Sequence, residues 1–395
     1  MNYTFKVSPQ TRQVKTASSK THNPWLKKFY NLPISRKQLI ALIFCQLVSI
    51  LGIGIGGTLI ITRGLRNQLR EQAKSELAVS DINYNIKINQ MGFGFRGQSD
   101  NAAIIRAAIL NDSNRVLSRN LRASVKQILQ NEIEARNIEY ATLVGKDAKI
   151  IVNANSDRGG ETFGLDGLVN QVLQDGQQIK ASAIVKASEL SKEKPTLAEG
   201  AENQDALVRY AVTPVRNPQT QEVIGALVAG DIVNGKDEIV KSTLKASDGG
   251  YSAVYLNQAG EFDLASSLQT NAQGNINRAT PNVPLPPIGN SLLEAAVTAQ
   301  GEVITKRINM GGVNYTVAAK AVPNQIIEEA EGQKAVYSDE PPAILVRGTP
   351  EIEVNGLLTQ SLLLQALIVF IALSFIGIWA VILRRGMIHP IENLQ

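Results

Sequence analysis

Two long apolar runs frame the chain. Residues 39–61 contain no charged side chain, and the only polar members of residues 362–383 are Gln365 and Ser374. At about 1.5 Å of rise per residue, a helix of the second run reaches about 33 Å, which is enough to cross a hydrocarbon core of about 30 Å. The pattern therefore predicts a transmembrane helix at residues 39–61 and another at residues 362–383.

After the first run the pattern is typical of amphipathic helices. Apolar residues recur at every fourth position among many charged and amide side chains: Leu65, Leu69, Ala73 and Leu77. This spacing predicts a rigid helical stalk over residues 63–136. The glycines between residues 92 and 97 predict an interruption, after which Asp100 or Asn101 caps a second helix. A third helix is predicted to end near Arg136.

From residue 140 the pattern changes to short runs of β-forming residues. Residues 140–144 and 150–154 predict a hairpin, residues 165–173 a helix, and residues 206–215 and 223–232 two long strands. Runs of strands interrupted by single helices are typical of α+β domains with antiparallel sheets. We therefore expect one module over residues 137–245.

The same order of elements then recurs. A second hairpin is predicted at residues 251–256 and 262–266, followed by a helix at 292–298 and strands at 303–308, 315–322 and 342–348. We expect a second, related module over residues 246–350. Two polar segments rich in Gly or Pro, residues 270–287 and 324–339, are expected to be surface insertions of this second copy.

The charge of the chain is unevenly distributed. The net charge is +5, but residues 1–37 hold eight Lys or Arg side chains and no carboxylate, so the rest is close to neutral or mildly acidic. A basic leader before a span favours a cytoplasmic N-terminus, and a second span returns the C-terminus, where Arg384 and Arg385 follow. We expect a retained anchor in the plasma (inner) membrane, a basic cytosolic tail at residues 1–35 and an extracytoplasmic central domain. Membrane lipids, not nucleic acid, are the expected partners of the basic excess. The alternative is that the basic tail is a solvated topology signal without a further role.

The central domain lacks several chemical groups that enzymes use. Cys45 lies in the first apolar run, and His22 and His389 lie in the predicted cytosolic parts. The external domain therefore has no His or Cys for a zinc site, a disulfide or a Ser-His or Cys-His pair. We expect no catalytic residue, metal or cofactor, and no enzymatic activity.

Four polar residues are candidate ligand-binding groups because they lie on or beside strands of one predicted sheet: Arg158, Arg209, Tyr210 and Asp231. Guanidinium, phenol and carboxylate groups suit a zwitterionic or anionic small molecule. The alternative is that Arg209 and Asp231 pair with each other or face solvent.

Small residues in the first apolar run predict close helix packing. Gly52 and Gly56 have the spacing of a small-xxx-small motif, which allows two helix backbones to approach. Their partner is either a second chain or the other span of the same chain. The alternative is a lipid-facing helix that contains glycine.

The architecture and the terminal residues Pro390-Ile391-Glu392-Asn393-Leu394 together carry a family resemblance. The chain resembles double-Cache transmembrane receptors, particularly methyl-accepting chemotaxis proteins. Residues 384–395 resemble the start of a HAMP linker, with Pro390, Ile391 and Leu394 at the positions of its pattern. The resemblance implies tandem PAS-like (Cache) modules on a helical stalk, with a small-molecule ligand in the membrane-distal module at residues 137–245.

The resemblance also implies how such a protein works. A homodimer passes a displacement from the sensor to cytosolic signalling machinery, if an output domain follows. Asp231 matches an aspartate of amino-acid-sensing Cache domains, although their Arg-x-Trp-Tyr pattern is absent here. Two alternatives remain open: the sensor portion of a histidine kinase or cyclase, and a membrane-anchored binding or scaffolding protein without output.

Overall fold

A computed structural model describes residues 33–163, 165–195, 203–271, 274–329 and 332–383. The chain divides into two compact units, Met1–Thr62 with Leu358–Gln395, and Arg63–Leu357. The second unit contains two antiparallel sheets with helices packed on them. The predicted α+β fold with tandem sheet modules is therefore confirmed.

Two apolar helices belong to the first unit in part. Helix α1 (Ile34–Ser99) begins in it, and the C-terminal helix, α8 (Ile352–Leu383), ends in it. Each contains a segment long and apolar enough to cross a membrane, with mean hydropathy of 2.0 and 2.5. Large apolar side chains on both are exposed, among them Phe44, Ile53, Phe370 and Phe375. A bilayer is the environment that suits such surfaces, which supports the two predicted spans.

A polar contact joins these two helices within the first unit. Gln365 Nε2 donates a hydrogen bond to the carbonyl oxygen of Gly54 at 3.0 Å, and Thr58 Oγ1 lies 2.7 Å from Gln365 Oε1. Amide and hydroxyl groups in apolar helices commonly bond across to a neighbouring helix, since lipid offers no partner. Gln365, one of the two polar residues in its run, is therefore a contact residue.

The glycines at this contact are not the predicted pair. A Cβ at Gly57 would lie 2.6 Å from Gln365 Nε2, and one at Gly54 would touch Val369 at 3.6 Å. At Gly52 and Gly56 no described atom lies within 4 Å of the Cβ position. The contact within the chain therefore uses Gly54 and Gly57, and a role for Gly52 and Gly56 between two chains stays a prediction.

Helix α1 runs to Ser99 without a break, so the predicted interruption at the glycines is wrong. A Cβ at Gly94 would lie 1.9 Å from Arg136 Nη2, and one at Gly92 would lie 2.9 Å from Gln178 Oε1. Each glycine costs a helix about 1 kcal/mol relative to alanine. Here the missing side chain is what admits the neighbouring Arg136 and Gln178, and their packing offsets this cost.

Two further helices follow, α2 (Ala102–Asp112) and α3 (Arg119–Arg136). Asn101 Oδ1 accepts a hydrogen bond from the amide of Ala103 at 3.0 Å, as expected of an N-cap. Helix α3 ends where Asn137 adopts the left-handed conformation, with φ of 49°. The predicted cap at Asn101 and the predicted end near Arg136 are confirmed.

The first sheet contains the strands that follow α3, with α4 (Asp166–Asp175) and α5 (Ala187–Glu193) between them. Its strands from this part of the chain are β1 (Tyr140–Gly145), β2 (Ile150–Asn153), β3 (Ile179–Val185), β4 (Ala206–Arg216) and β5 (Val223–Ile232). The predicted hairpin, helix and long strands are confirmed. Strand β3 and helix α5 were not predicted. In β3, the apolar residues Ile179, Ala181 and Ala183 alternate with the polar residues Lys180 and Ser182, which is a strand pattern.

The second sheet repeats this plan after helix α6 (Glu238–Ala246). Its elements are β6 (Tyr251–Gln258), β7 (Glu261–Gln269), β8 (Thr280–Pro281), helix α7 (Asn290–Thr298), β9 (Ile304–Met310), β10 (Val313–Ala321) and β13 (Ala343–Pro350). Within the described ranges the strand order is β8-β7-β6-β13-β10-β9. The predicted hairpin, helix and strands of the second module are confirmed.

A hairpin from the second half of the chain completes the first sheet. Strands β11 (Gln325–Glu329) and β12 (Gly332–Val336) pair with each other, and β11 pairs with β3, with Gln325 opposite Ala181. The segment predicted as a surface insertion, residues 324–339, therefore forms an edge hairpin of the first sheet, a pairing that was not predicted. Strand β3 would otherwise leave unpaired backbone groups at an edge, which the hairpin covers. Its polar composition suits an edge hairpin, and Glu328 lies 2.7 Å from Lys180 Nζ.

Helix α1 contributes to a hydrophobic core that both sheets share. Its buried side chains recur every three or four residues: Leu69, Ala73, Leu77, Ser80, Tyr84, Ile88, Met91 and Phe95. One buried cluster joins most of them to Leu207 and Leu227 of the first sheet and to Val254 and Leu345 of the second. Burying each large apolar side chain stabilises the fold by about 1.5–3 kcal/mol. Both sheets therefore depend on the same helix.

A buried ion pair holds α1 to the second sheet. Arg347, on β13, is 0% exposed, and its Nε and Nη2 atoms both lie 2.8 Å from Glu76 Oε2. Thr349 Oγ1 donates to the same carboxylate oxygen at 2.6 Å, and Arg347 Nη1 donates to the carbonyl oxygen of Tyr251 at 3.0 Å. Burial lowers the pKa of Arg347, and the Glu76 carboxylate opposes that shift.

Replacing Glu76 should therefore destabilise the protein strongly. Glu76→Ala leaves the Arg347 guanidinium buried without its anion, and breaking such a pair typically costs about 3–5 kcal/mol. Chemical unfolding of the purified full chain, followed by circular dichroism, measures the change. The control is Glu71→Ala, since Glu71 is 72% exposed and, among the described residues, forms its ion pair with Lys74, whose side chain is 41% exposed. Equal unfolding free energies for the two variants would contradict the role assigned to Glu76.

Candidate functional site

The four predicted ligand residues lie on or beside the first sheet but not on one side of it. Arg209 and Tyr210 are consecutive on β4, so their side chains point to opposite faces. Asp231 on β5 lies directly opposite Arg209. The sheet thus separates a pair, Arg209 and Asp231, on the face toward α1 from Tyr210 and Arg158 on the other face.

On the face toward α1, Arg209 and Asp231 form a buried ion pair. Arg209 Nε and Nη2 lie 2.7 and 2.5 Å from Asp231 Oδ2, and Asp231 is 0% exposed. Arg209 Nη1 donates to the carbonyl oxygen of Tyr84 at 2.7 Å, and the guanidinium lies over the Tyr84 ring at 5.1 Å. Lys236 Nζ bonds the other Asp231 oxygen at 2.7 Å.

These contacts give Arg209 and Asp231 the arrangement foreseen as the alternative, in which they pair with each other. They connect strands β4 and β5 to helix α1 through Tyr84. A buried ion pair of this kind holds the two strands in register, because a slip that broke the pair would leave an uncompensated charge in the core. Ligand binding by Arg209 or Asp231 stays a prediction, and any ligand there would have to replace one member of the pair.

On the opposite face, polar groups converge on a small cavity of about 30 Å³. Arg158, from the segment after β2, and Glu193, the last residue of α5, form an ion pair with side chains only 7% and 6% exposed. Arg158 Nε also lies 2.9 Å from Glu161 Oε2. A volume of this size holds about two water molecules. The cavity is therefore small and is bordered by a buried ion pair.

Two tyrosines form the floor of the cavity. Tyr140 and Tyr210 both align with Gly230 on the strand between them, and their hydroxyl groups share a hydrogen bond. A Cβ at Gly230 would lie 2.3 Å from Tyr140 Cζ. The absence of a side chain at Gly230 is therefore what lets the Tyr140 ring cross β5. Burial raises the pKa of Tyr140 and of Tyr210, so both are neutral donors at physiological pH.

The carboxylate of Glu193 is held by donors as well as by charge. Asn153 Nδ2 donates to Glu193 Oε2 at 2.6 Å and lies 2.9 Å from Thr142 Oγ1. Burial raises the pKa of Glu193, and the Asn153 hydrogen bond and the Arg158 charge oppose that shift. A guanidinium and an amide thus hold one carboxylate, and two phenols line the same cavity. The same groups would bind the carboxylate of a small molecule.

Sequence reasoning found Arg158 and Tyr210 but missed Tyr140, Asn153 and Glu193. Glu193 lies in a polar stretch that has the composition of a surface loop, so nothing in its neighbours signals burial. Tyr140 and Asn153 are at the ends of predicted strands, where inward and outward positions depend on register. The pairing of β1 with both β2 and β5 settles that register.

A second, larger cavity lies in the second module. It has a volume of about 610 Å³ and is bordered by polar side chains that include Glu76, Asp248, Thr270 and Thr349. It contains none of the four predicted residues. We assign the candidate site to the small cavity because two of the four predicted residues, Arg158 and Tyr210, line it and because the ion pair of Arg158 with Glu193 is buried there.

Several predicted features lie outside the described residues. These are residues 1–32 of the basic tail, Arg384 and Arg385, and the HAMP start at Pro390, Ile391 and Leu394. Their roles stay predictions. Among the described residues, no group of three or more His, Cys, Asp or Glu side chains is placed to hold a metal ion.

No protein-family model and no curated protein matches the chain. Among solved structures, the chain is similar to the sensor domain of the V. cholerae histidine kinase DctB, with 11% identity and a TM-score of 0.39 over 72% of this chain and 98% of that one. It is similar to the ligand-binding domain of the Campylobacter jejuni chemoreceptor Tlp3 in complex with L-valine, with 12% identity and a TM-score of 0.40 over 73% and 96%. The periplasmic domain of Vibrio cholerae LuxQ has 12% identity and a TM-score of 0.35 over 70% and 100%.

Proposed function

We propose that this protein is a two-span membrane receptor that binds a small molecule carrying a carboxylate in the cavity at Arg158. The observation that carries the proposal is the buried pair of Arg158 and Glu193, since it places an internal carboxylate where a ligand carboxylate would bind. Tyr140 and Tyr210 supply neutral donors or acceptors beside it. A zwitterion such as an amino acid, or a simple carboxylic acid, has the matching chemistry.

Binding requires a change of state because the cavity is too small for such a molecule. The ligand carboxylate displaces Glu193 from Arg158, and Glu193 moves with the end of helix α5. A ligand shifts this equilibrium only by its difference in affinity for the two states. The empty state is therefore the one closed by Glu193, and the bound state is the one in which Arg158 holds the ligand.

The route from the cavity to α1 passes through strand β4. Tyr210 borders the cavity, and its neighbour Arg209 bonds the Tyr84 carbonyl of α1 on the other face. A shift of β4 would therefore move Arg209 and the α1 carbonyl that it bonds. Helix α1 also contains the first predicted span. We propose that this displacement reaches a cytosolic HAMP-type segment at residues 384–395. A chemotaxis-type output is proposed from Pro390, Ile391 and Leu394 alone.

A thermal-shift screen of the purified full chain against small carboxylic acids and amino acids tests the ligand site. Compounds that bind the folded state raise its melting temperature. With such a compound, Arg158→Gln should abolish the shift. Glu193→Gln should strengthen binding by about tenfold or more, because it removes a competing carboxylate. Arg115→Gln, a change at an exposed arginine, serves as the control.

The two variants separate competing outcomes. If Glu193→Gln weakens binding as much as Arg158→Gln does, Glu193 contacts the ligand and does not compete with it. If both variants bind like the wild type, the ligand lies elsewhere in the protein and the assignment to this cavity is wrong.

We further propose that the receptor is a homodimer that packs through helix α1. Ile82, Ile86 and Phe93 are 61%, 45% and 79% exposed, although they are large and apolar. At 100° per residue they lie within about 40° of one another around the helix. A second copy is the occupant that suits this face, because two identical chains anchored in one membrane present the same face of α1 in parallel.

Disulfide crosslinking tests the dimer. In a Cys45→Ala background, Ile82→Cys should crosslink on mild oxidation in membranes and yield a dimer on a denaturing gel. Ala123→Cys is the matched control, because Ala123 is exposed on helix α3, which supplies no residue to the proposed interface. Equal crosslinking of the two variants would exclude α1 as the dimer contact.

A further inference from the structure

A cavity of about 270 Å³ between α1 and the second sheet is bordered mainly by cationic side chains. Arg66 and Arg70 come from α1, one turn apart, and Lys306 and Arg307 come from β9. Glu351 is the one carboxylate among the residues that line the cavity. The cavity therefore concentrates positive charge in a domain that is otherwise close to neutral or mildly acidic.

The carboxylate in this cavity is already fully engaged. Glu351 Oε2 lies 2.7 Å from Arg307 Nε and 2.6 Å from Arg307 Nη2, and Glu351 Oε1 accepts a hydrogen bond from Thr316 at 2.9 Å. Lys306 Nζ donates to the carbonyl oxygen of Ile288 at 3.1 Å. Among the described residues that line the cavity, no further carboxylate is left to neutralise Arg66 and Arg70.

Arg66 and Arg70 have no ion-pair or hydrogen-bond partner anywhere in the described ranges. Two exposed guanidinium groups one helical turn apart repel each other, and like charges at this spacing destabilise a helix slightly. An anion bound between them would attract both guanidinium groups and so offset their mutual repulsion. The planar guanidinium fork matches the oxygens of a phosphate group.

The chain keeps this cavity close to the first predicted span. Arg66 follows Ile61, the end of that span, by five residues. Five residues reach at most about 18 Å when extended and about 8 Å when helical. Arginine side chains extend their apolar stems and hold the charged end at the polar boundary of a membrane. The headgroup layer is therefore within reach of Arg66 and Arg70.

We propose that this cavity binds the phosphate of an anionic phospholipid headgroup on the side of the membrane that carries the domain. The lipid is favoured over a free anion because it is held at the height of the cavity at high local concentration, and each basic residue near such a surface contributes to binding. Lipid binding here requires the first span but no ligand at Arg158, so it is independent of the sensing proposal.

Native mass spectrometry of the full chain, titrated with phosphatidylglycerol or with phosphatidylcholine of the same acyl chains, tests the site. The wild type should bind phosphatidylglycerol more tightly. The double variant Arg66→Gln/Arg70→Gln should weaken that binding about tenfold or more, whereas Arg115→Gln/Arg119→Gln, the same charge change at exposed arginines of the same spacing, should not. The basic N-terminal tail contributes equally in all variants.

Three results would overturn the proposal. One is equal affinity of the wild type for the two lipids. Another is equal weakening by the two double variants, which would mean that binding depends on net charge and not on this cavity. The third is competition by inorganic phosphate, at the concentration of the lipid, as effective as that of the lipid itself. That result would assign the cavity to a free anion.

Discussion

The burial of one helix between two sheets is the constraint on which the extramembrane structure depends. Helix α1 supplies apolar side chains to a core that includes Leu207 of the first sheet and Leu345 of the second. Each sheet also fixes α1 with a buried arginine that contacts it, Arg209 through the Tyr84 carbonyl and Arg347 through the Glu76 carboxylate. Removal of α1 would leave the Arg347 guanidinium buried without its Glu76 carboxylate, and it would take the Tyr84 carbonyl from Arg209, which would keep its pair with Asp231. The helix therefore cannot leave either sheet without a cost in free energy, and the cost is larger at the second sheet.

This arrangement relates the candidate site to the rest of the molecule. Strand β4 has the cavity tyrosine Tyr210 on one face and Arg209 on the other, so a single strand separates the candidate cavity from α1. A buried ion pair, Arg158 with Glu193, borders that cavity. In the proposed mechanism a ligand carboxylate replaces Glu193, which gives two states between which a ligand can shift the protein.

The sequence predicts the local elements well and the long-range pairings poorly. Apolar runs, hairpins and the Asn101 cap depend on neighbouring residues, and they are confirmed. The continuity of α1 through Gly94 depends on Arg136, about forty residues away, and the hairpin of β11 depends on the free edge of β3. Periodicity contains no information on either partner. Glu193 was missed for the same reason, since its burial is created by Arg158 and Asn153 and not by its own polar neighbours.

Hydrogen exchange of the full chain in increasing denaturant, followed by mass spectrometry, tests the shared role of α1 most directly. Peptides from β4 (Ala206–Arg216) and from β13 (Ala343–Pro350) report on the first and second sheets separately. If one helix holds both cores together, the two strands should lose protection at the same denaturant concentration, together with residues 69–95 of α1. Separate transitions, with one sheet and α1 still protected after the other sheet has exchanged, would contradict this account.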